Sequence, residues 1–192
     1  NRRENWRKTE ELQEQVRESR ETLHSCLSDT RKVMPHATAM GLEALKTIVE
    51  QEGLVHGEQY FGMIMENFKL RNDKYRTAVE VAAQNSLFHV IVDTDSTAAK
   101  LMKRLEDGKL GRVTFLPLSQ LRVDQVDYPD NQDVRPLLDT CLEYDTKVER
   151  AMRHVFAKKM VARSIDIAAE WSTKLSMDVI TLDGDLCGRK GA

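Results

Sequence analysis

The apolar positions of this chain keep two different rhythms, and the change falls at Pro35. Before it, Leu12, Val16, Ser19, Leu23, Cys26, Thr30 and Val33 recur at alternating spacings of four and three. These are the a and d positions of a heptad seam, only partly apolar. The rest of 1–34 is dense in Glu, Arg, Gln and Lys and holds no Gly or Pro. One such helix cannot bury its own stripe, so the pattern predicts a partner helix; the alternative is an amphipathic helix packed on the domain that follows.

Pro35 interrupts the seam, because proline removes a donor and clashes with the preceding turn. "GLEALKTIVEQEG" predicts a short helix with Leu42, Leu45, Ile48 and Val49 on one face and Gly53 at its end. "YFGMIMENF" reads as a strand in which Gly62 permits a bulge, with Met63 and Met65 alternating onto one face. "YRTAVEVAAQN" reads as a helix ended by Asn85, and "LFHVIVD" as a continuous apolar strand bounded by Asp93. "STAAKLMKRLEDG" is a helix capped by Asp95 or Ser96 and followed by Gly108. "RVTFLPL" is a buried strand stopped by Pro117. Residues 119–146 are acidic, contain Pro129 and Pro136, and read as an irregular connection with a short helix. Val148, Met152, Val155 and Phe156 line one side of a helix in "YDTKVERAMRHVFAK". "KMVARS" is a short strand, "SIDIAAEWSTKL" a helix and "DVITLD" a final strand. Interleaved short strands and helices make the class α+β. No close internal repeat is visible.

Composition narrows the function. The 192 residues suffice for one compact domain plus an appendage. A charged fraction of 31% and a mean hydropathy of −0.51 point to a solvated helix within the chain. A net charge of −2 excludes a strongly basic nucleic-acid protein but leaves room for local basic patches. Cys26, Cys141 and Cys187 are far apart and form no C-x-x-C pair. Neither a disulfide framework nor a zinc site is implied, and a reducing, intracellular compartment fits. No apolar run approaches the ~20 residues of a membrane span. Asn1 opens in charged sequence without a leader, so both ends are expected to be cuts through a longer protein.

The best catalytic pattern is "HVIVDTDST". An apolar strand followed by D-x-D-x-T matches magnesium-dependent phosphotransferases of the haloacid-dehalogenase type. There Asp93 would attack phosphorus, Asp95 would act as acid and base, and Thr97 completes the spacing. The bland alternative is a strand terminator and a helix cap. His154 sits among apolar helix neighbours and reads as structural. No G-x-S-x-G and no phosphate-binding P-loop is present. Cys187 lies near Arg189 and Lys190, cations that lower a thiol pKa. Lys158, Lys159 and Arg163 surround one strand, while Arg189 and Lys190 close the chain. Two such clusters facing one groove would contact phosphates; with few aromatics between them, contact would be to the backbone and indifferent to sequence.

"VITLDGDLCGRKGA" at 179–192, with "VTFLPL" at 113–118, resembles the hinge domain of structural-maintenance-of-chromosomes (SMC) proteins. "QYFGMIMENF", "AVEVAAQNSLFHVIVDTD" and "RHVFAKKMVARSIDIAAE" extend the likeness over about 40–192. "YP" at 128–129 and "HVF" at 154–156 favour the third-type branch found in cohesin. The resemblance implies that 1–36 is part of an ascending coiled-coil arm and 37–192 a hinge, cut before the descending arm. It implies a non-catalytic module, without cofactor or metal, that pairs with the first-type cohesin hinge at the apex of a ring. The implied contacts are strand edges at Gly62, Met63 and Met65 and at the final turn, Gly184 to Gly191. Arg189 and Lys190 match basic positions of the family and are its implied DNA contacts, with Lys158, Lys159 and Arg163 added from the charge pattern; Leu186 and Gly188 depart from basic and polar residues of relatives and weaken that charge. The implied setting is the nucleus and the chromosome, in sister-chromatid cohesion. A homodimeric coiled-coil scaffold without a DNA role is the competing binding module.

Overall fold

A computed structural model describes residues 2–123 and 125–188. Helix α1 (Arg2–Val33) spans the heptad stretch. Leu12 and Val16 are exposed along it, not packed on the domain. Pro35 caps α2 (His36–Gln51), which begins well before the expected "GLEALK". Leu45 and Ile48 of α2 are buried. Gly53, at φ +65°, ends it. Its N–H donates to Glu50 and that of Leu54 to Val49, both at 3.1 Å, a Schellman closure that needs a left-handed residue.

The first half of the domain runs β1 (Tyr60–Met63), β2 (Phe68–Leu70), α3 (Arg76–Ala83), β3 (Val90–Val92), α4 (Asp95–Asp107) and β4 (Phe115–Pro117). The second runs β5 (Val134–Pro136), α5 (Leu137–Cys141), β6 (Leu142–Tyr144), α6 (Glu149–Phe156), β7 (Lys159–Ala162), α7 (Ile165–Leu175), β8 (Asp178–Thr181) and β9 (Leu186–Cys187). The sheets are β1-β3-β4, β2-β6 and β5-β7-β8-β9. In each large sheet an antiparallel strand precedes a parallel pair joined by a crossover helix, α4 or α7.

The two halves are therefore one motif used twice, a repeat the sequence reading missed. The matching is close at the caps. Thr94 accepts from Thr97 N–H at the start of α4, and Ser164 from Ile167 N–H at the start of α7. Asn72 and Asp145 cap the short 3₁₀ turns before α3 and α6 in the same way. Ala78, Val79, Ala82 and Ala83 are buried on α3, as Ala151, Met152, Val155 and Phe156 are on α6. Strands β2 and β6 join the halves to each other.

Several local expectations change. The helix after Asp93 is capped by Thr94, not Asp95 or Ser96. Helix α3 stops at Gln84, φ +48°, and a 3₁₀ turn over Gln84–Phe88 replaces the front of the expected strand. The "irregular" 119–146 holds β5, α5 and β6. Pro117 belongs to β4, where its missing N–H costs nothing because it faces away from β3. Three apolar clusters result. One lies between the halves around Ile64, Leu142, Phe156 and Ile180. A second packs α2 and α4 on the first sheet, and a third packs α7 on the last. Glu52 ties α2 to α4 through Lys100 at 2.5 Å and Arg104 at 3.3 Å, and Lys100 holds its carboxyl below the usual range.

Candidate interaction surfaces

The strand at Gly62 has the expected bulge, between Tyr60 and Gly62. Its outer edge is closed from within. Ile64 N–H donates to His89 at 2.9 Å, so the Met63 amide points away from β3. That amide donates to Glu66 Oε2 at 2.7 Å. Asn67 Nδ2 donates to the carbonyls of Phe61 at 2.9 Å and Met63 at 2.6 Å. Gly62 sits at φ +84°, and a Cβ there would collide with Glu66 Oε2. The glycine is thus explained by a side chain of its own chain. Met63 and Met65 do not share a strand face: Met65 lies in the 3₁₀ turn Ile64–Glu66, while Met63 packs on the cluster around Leu45 and Val90.

The other glycine site is a hairpin. Gly184, at φ +98°, turns β8 into β9, and a Cβ there would lie 2.8 Å from Thr77 on α3. Thr181 Oγ1 donates to Asp185 Oδ2 at 3.1 Å and accepts from the Asp185 amide at 2.9 Å. Arg189, Lys190 and Gly191 lie outside the described residues.

Two sheet edges end on backbone that faces outward. Val90 N–H donates to Thr114 O and Leu118 N–H to Val92 O. Alternation then turns the Phe115 backbone of β4 away from β3. In the last sheet Thr181 N–H donates to Asp185 O, and Ile180 faces Leu186. The same alternation turns the Leu186 backbone of β9 outward; its side chain is 40% exposed. The repeat makes these edges informative. Strand β8 is covered by β9, whereas its equivalent β4 has no neighbouring strand beyond it among the described residues. Helix α7 packs on β9, and its Ser172 is 4% exposed. The matching position on α4 is Met102, which is 43% exposed. Sequence reading passed over Met102 because it stands among charged residues; an apolar side chain four residues after Ala98 and three before Leu105, at the rim of the buried face of α4, was the available signal.

The basic residues separate. Lys158 is exposed after α6. The Lys159 ammonium donates to the Ala82 carbonyl at the C-terminal end of α3, a site where positive charge is favourable. Arg163 pairs with Asp133 at 3.5 Å. Lys158 and Arg163 stand at opposite ends of β7, roughly 16 Å apart at strand rise. The described members of the expected group therefore do not converge.

The aspartates of "DTDST" are engaged locally. Asp93 Oδ1 accepts from the Thr94 amide at 2.6 Å and its hydroxyl at 3.2 Å. Asp95 is exposed in the first turn of α4. Among the described residues no group of three His, Cys, Asp or Glu side chains is placed to hold a metal. Burial pushes the Cys141 thiol up to about 12. Cys187 is buried in the cluster around Ala168, which makes it a packing residue.

The model of the SMC proteins flexible hinge domain matches residues 57–172. Chromosome segregation protein sudA of Emericella nidulans is 35% identical over 190 residues, covering 99% of this chain and 15% of that protein. Structural maintenance of chromosomes protein 3 of Saccharomyces cerevisiae is 35% identical over 195 residues, covering 99% and 16%. The chain thus spans less than a fifth of these relatives. A solved structure described as the folded elbow of cohesin superposes with a TM-score of 0.76 at 36% identity, over 99% of this chain and 27% of that one. An asymmetric dimer of the Geobacillus stearothermophilus SMC hinge domain shares the fold, with a TM-score of 0.71 at 22% identity over 92% and 70%. The matched module is non-catalytic, so the phosphotransferase reading of Asp93 and Asp95 falls and their bonds are those of a strand end and a helix start. By its matched residues, its doubled β-α architecture and its relatives, this chain belongs to the family of SMC flexible hinge domains.

Proposed function

We propose that this hinge dimerises by strand addition at both ends, the β9 edge of one subunit docking on the β4 edge of the other and reciprocally. The observation that carries this is the inequality of the two halves: β9 pairs with β8 and packs on α7, whereas among the described residues no strand pairs with the outer edge of β4, and Met102 beside it is 43% exposed. A foreign strand on β4 would supply there what β9 supplies at the other end. Main-chain bonds give such a contact affinity, and apolar side chains give it specificity. Two contacts close a ring. On this reading the contact lies at the edge of the sheet opposite the one expected at Gly62, Met63 and Met65, and Gly184 is the turn that presents β9; Gly191 lies outside the described residues.

The partner we favour is the first-type cohesin SMC hinge, supported by likeness to a third-type SMC protein and to a cohesin structure. The exposed Leu12 and Val16 on α1 fit an ascending arm over 1–36 that pairs with a descending one, leaving 37–192 as the hinge. The module would then hold the apex of a cohesin ring on chromosomes in the nucleus, in sister-chromatid cohesion. DNA contact would be weak and sequence-independent, through Lys158 and Arg163 at separate points and through Arg189 and Lys190; Lys159 is committed to α3.

Sedimentation equilibrium of the chain, alone and mixed with the first-type hinge, tests the pairing. The expected result is a one-to-one complex that replaces monomer or a weaker self-dimer. A self-dimer that persists undiminished in the mixture would establish the homodimeric scaffold instead.

A further inference from the structure

A cleft of about 200 Å³ opens at the end of the last sheet, where Arg163 follows β7 and Leu182 follows β8. Its walls bring together side chains from three separate parts of the chain: Lys74 before α3, Arg135 on β5 and Arg163. Asp133 is the one carboxylate among its described lining residues. Three cations therefore face one anion. Among the described residues the Asp133 carboxylate pairs with Arg163 alone, at 3.5 Å, with both side chains half or more exposed, a pair worth little and easily exchanged. Among the described residues no carboxylate pairs with Lys74 or Arg135. Lys74 lies instead 5.0 Å over the Tyr75 ring. Thr140, an uncharged polar residue, lines the same wall.

We infer that this cleft binds a phosphate group. Two guanidinium forks and an ammonium suit a multiply charged, three-oxygen face better than a single carboxylate. The volume is below the ~300–1,000 Å³ of ordinary ligand pockets, which limits the occupant to a group of about phosphate size. Its source is either a small soluble phosphate or a single phosphate of a nucleic-acid backbone. The site is independent of the dimer contacts proposed above and includes Lys74 and Arg135, which the sequence reading did not single out.

The probe is inorganic phosphate, titrated against chloride at constant ionic strength while the amides of 133–135 and 161–163 are followed by NMR. The expected result is saturation with a Kd on the order of millimolar. Arg135→Gln and Lys74→Gln should each weaken binding about five-fold or more, since each removes a charge-assisted bond. Asp133→Asn should tighten it several-fold by removing the competing carboxylate, a gain that misfolding cannot imitate. Linear shifts without saturation, or equal titrations of wild type and Arg135→Gln, would overturn the inference. In a second arm, duplex DNA that moves the same amides and is displaced by phosphate makes the backbone the source; DNA that leaves them unmoved makes it a small phosphate.

Discussion

Replacing Met102 with Lys separates an interface role from a structural one. Met102 lies on α4 and is 43% exposed, outside the buried set Ala98, Leu101 and Leu105. Met and Lys have similar helix propensities, so the free domain should keep its stability within about 0.5 kcal/mol. In the complex the side chain would be covered, as Ser172 is in the equivalent place. Full burial of a Met side chain is worth ~1.5–3 kcal/mol, so covering its exposed 43% contributes about 1 kcal/mol. An ammonium there loses that and also faces desolvation without a partner, about 2 kcal/mol more. The sum is ~3 kcal/mol, a rise in Kd of roughly a hundred-fold. Titration calorimetry with the first-type hinge reads it, with thermal melting of the free chain as control and Met102→Leu as the variant that retains binding. A Kd within two-fold of wild type, at unchanged Tm, would refute a contact at β4 and α4.

Gly62→Ala should destabilise the free domain by about 2 kcal/mol or more, because φ +84° and the Glu66 carboxylate both oppose a Cβ. Thermal melting should show a fall of roughly 5 °C or more, and adding Glu66→Ala should recover only the steric part; an unchanged Tm would remove the closed edge as the reason for glycine. Lys158→Gln should reduce the salt slope of DNA binding by about one, whereas Lys159→Gln should leave the slope alone and lower the Tm, since its ammonium sits on the α3 carbonyl; fluorescence anisotropy across a salt series distinguishes them. Burial, then His154, holds the His89 pKa below its ordinary value. The unfolded chain therefore binds the extra proton first as pH falls below ~6.5, and stability should decline from there until the folded-state pKa is passed. His89→Gln should flatten that decline in denaturant titrations between pH 7 and 5, and an identical decline would assign it to other groups.

The helices were legible because their information is local. Val148, Met152, Val155 and Phe156 are buried on one side of one helical stretch, as their spacing requires. Gly53 announces its own left-handed closure. Strands of two or three residues have no period to read, so β5, β6 and β9 stayed hidden in acidic or turn-rich sequence. The repeat was hidden too: the halves share caps and burial far more than residue types, and on α4 and α7 only Ala98, Ala99 and Leu105 match outright, against Ala168, Ala169 and Leu175.

By itself, then, the sequence determined the seam of α1, the α+β class, most helices and the family, all carried by spacing and by contiguous stretches. Tertiary structure alone decided what each candidate residue does. Gly62 faces Glu66, Lys159 reaches a helix end from another part of the chain, and Met102 lies partly exposed beside a strand edge that is unpaired among the described residues. Whether a strand is central or an edge depends on sheet order, and sheet order is set by which distant segments bury one another, a quantity no local pattern contains.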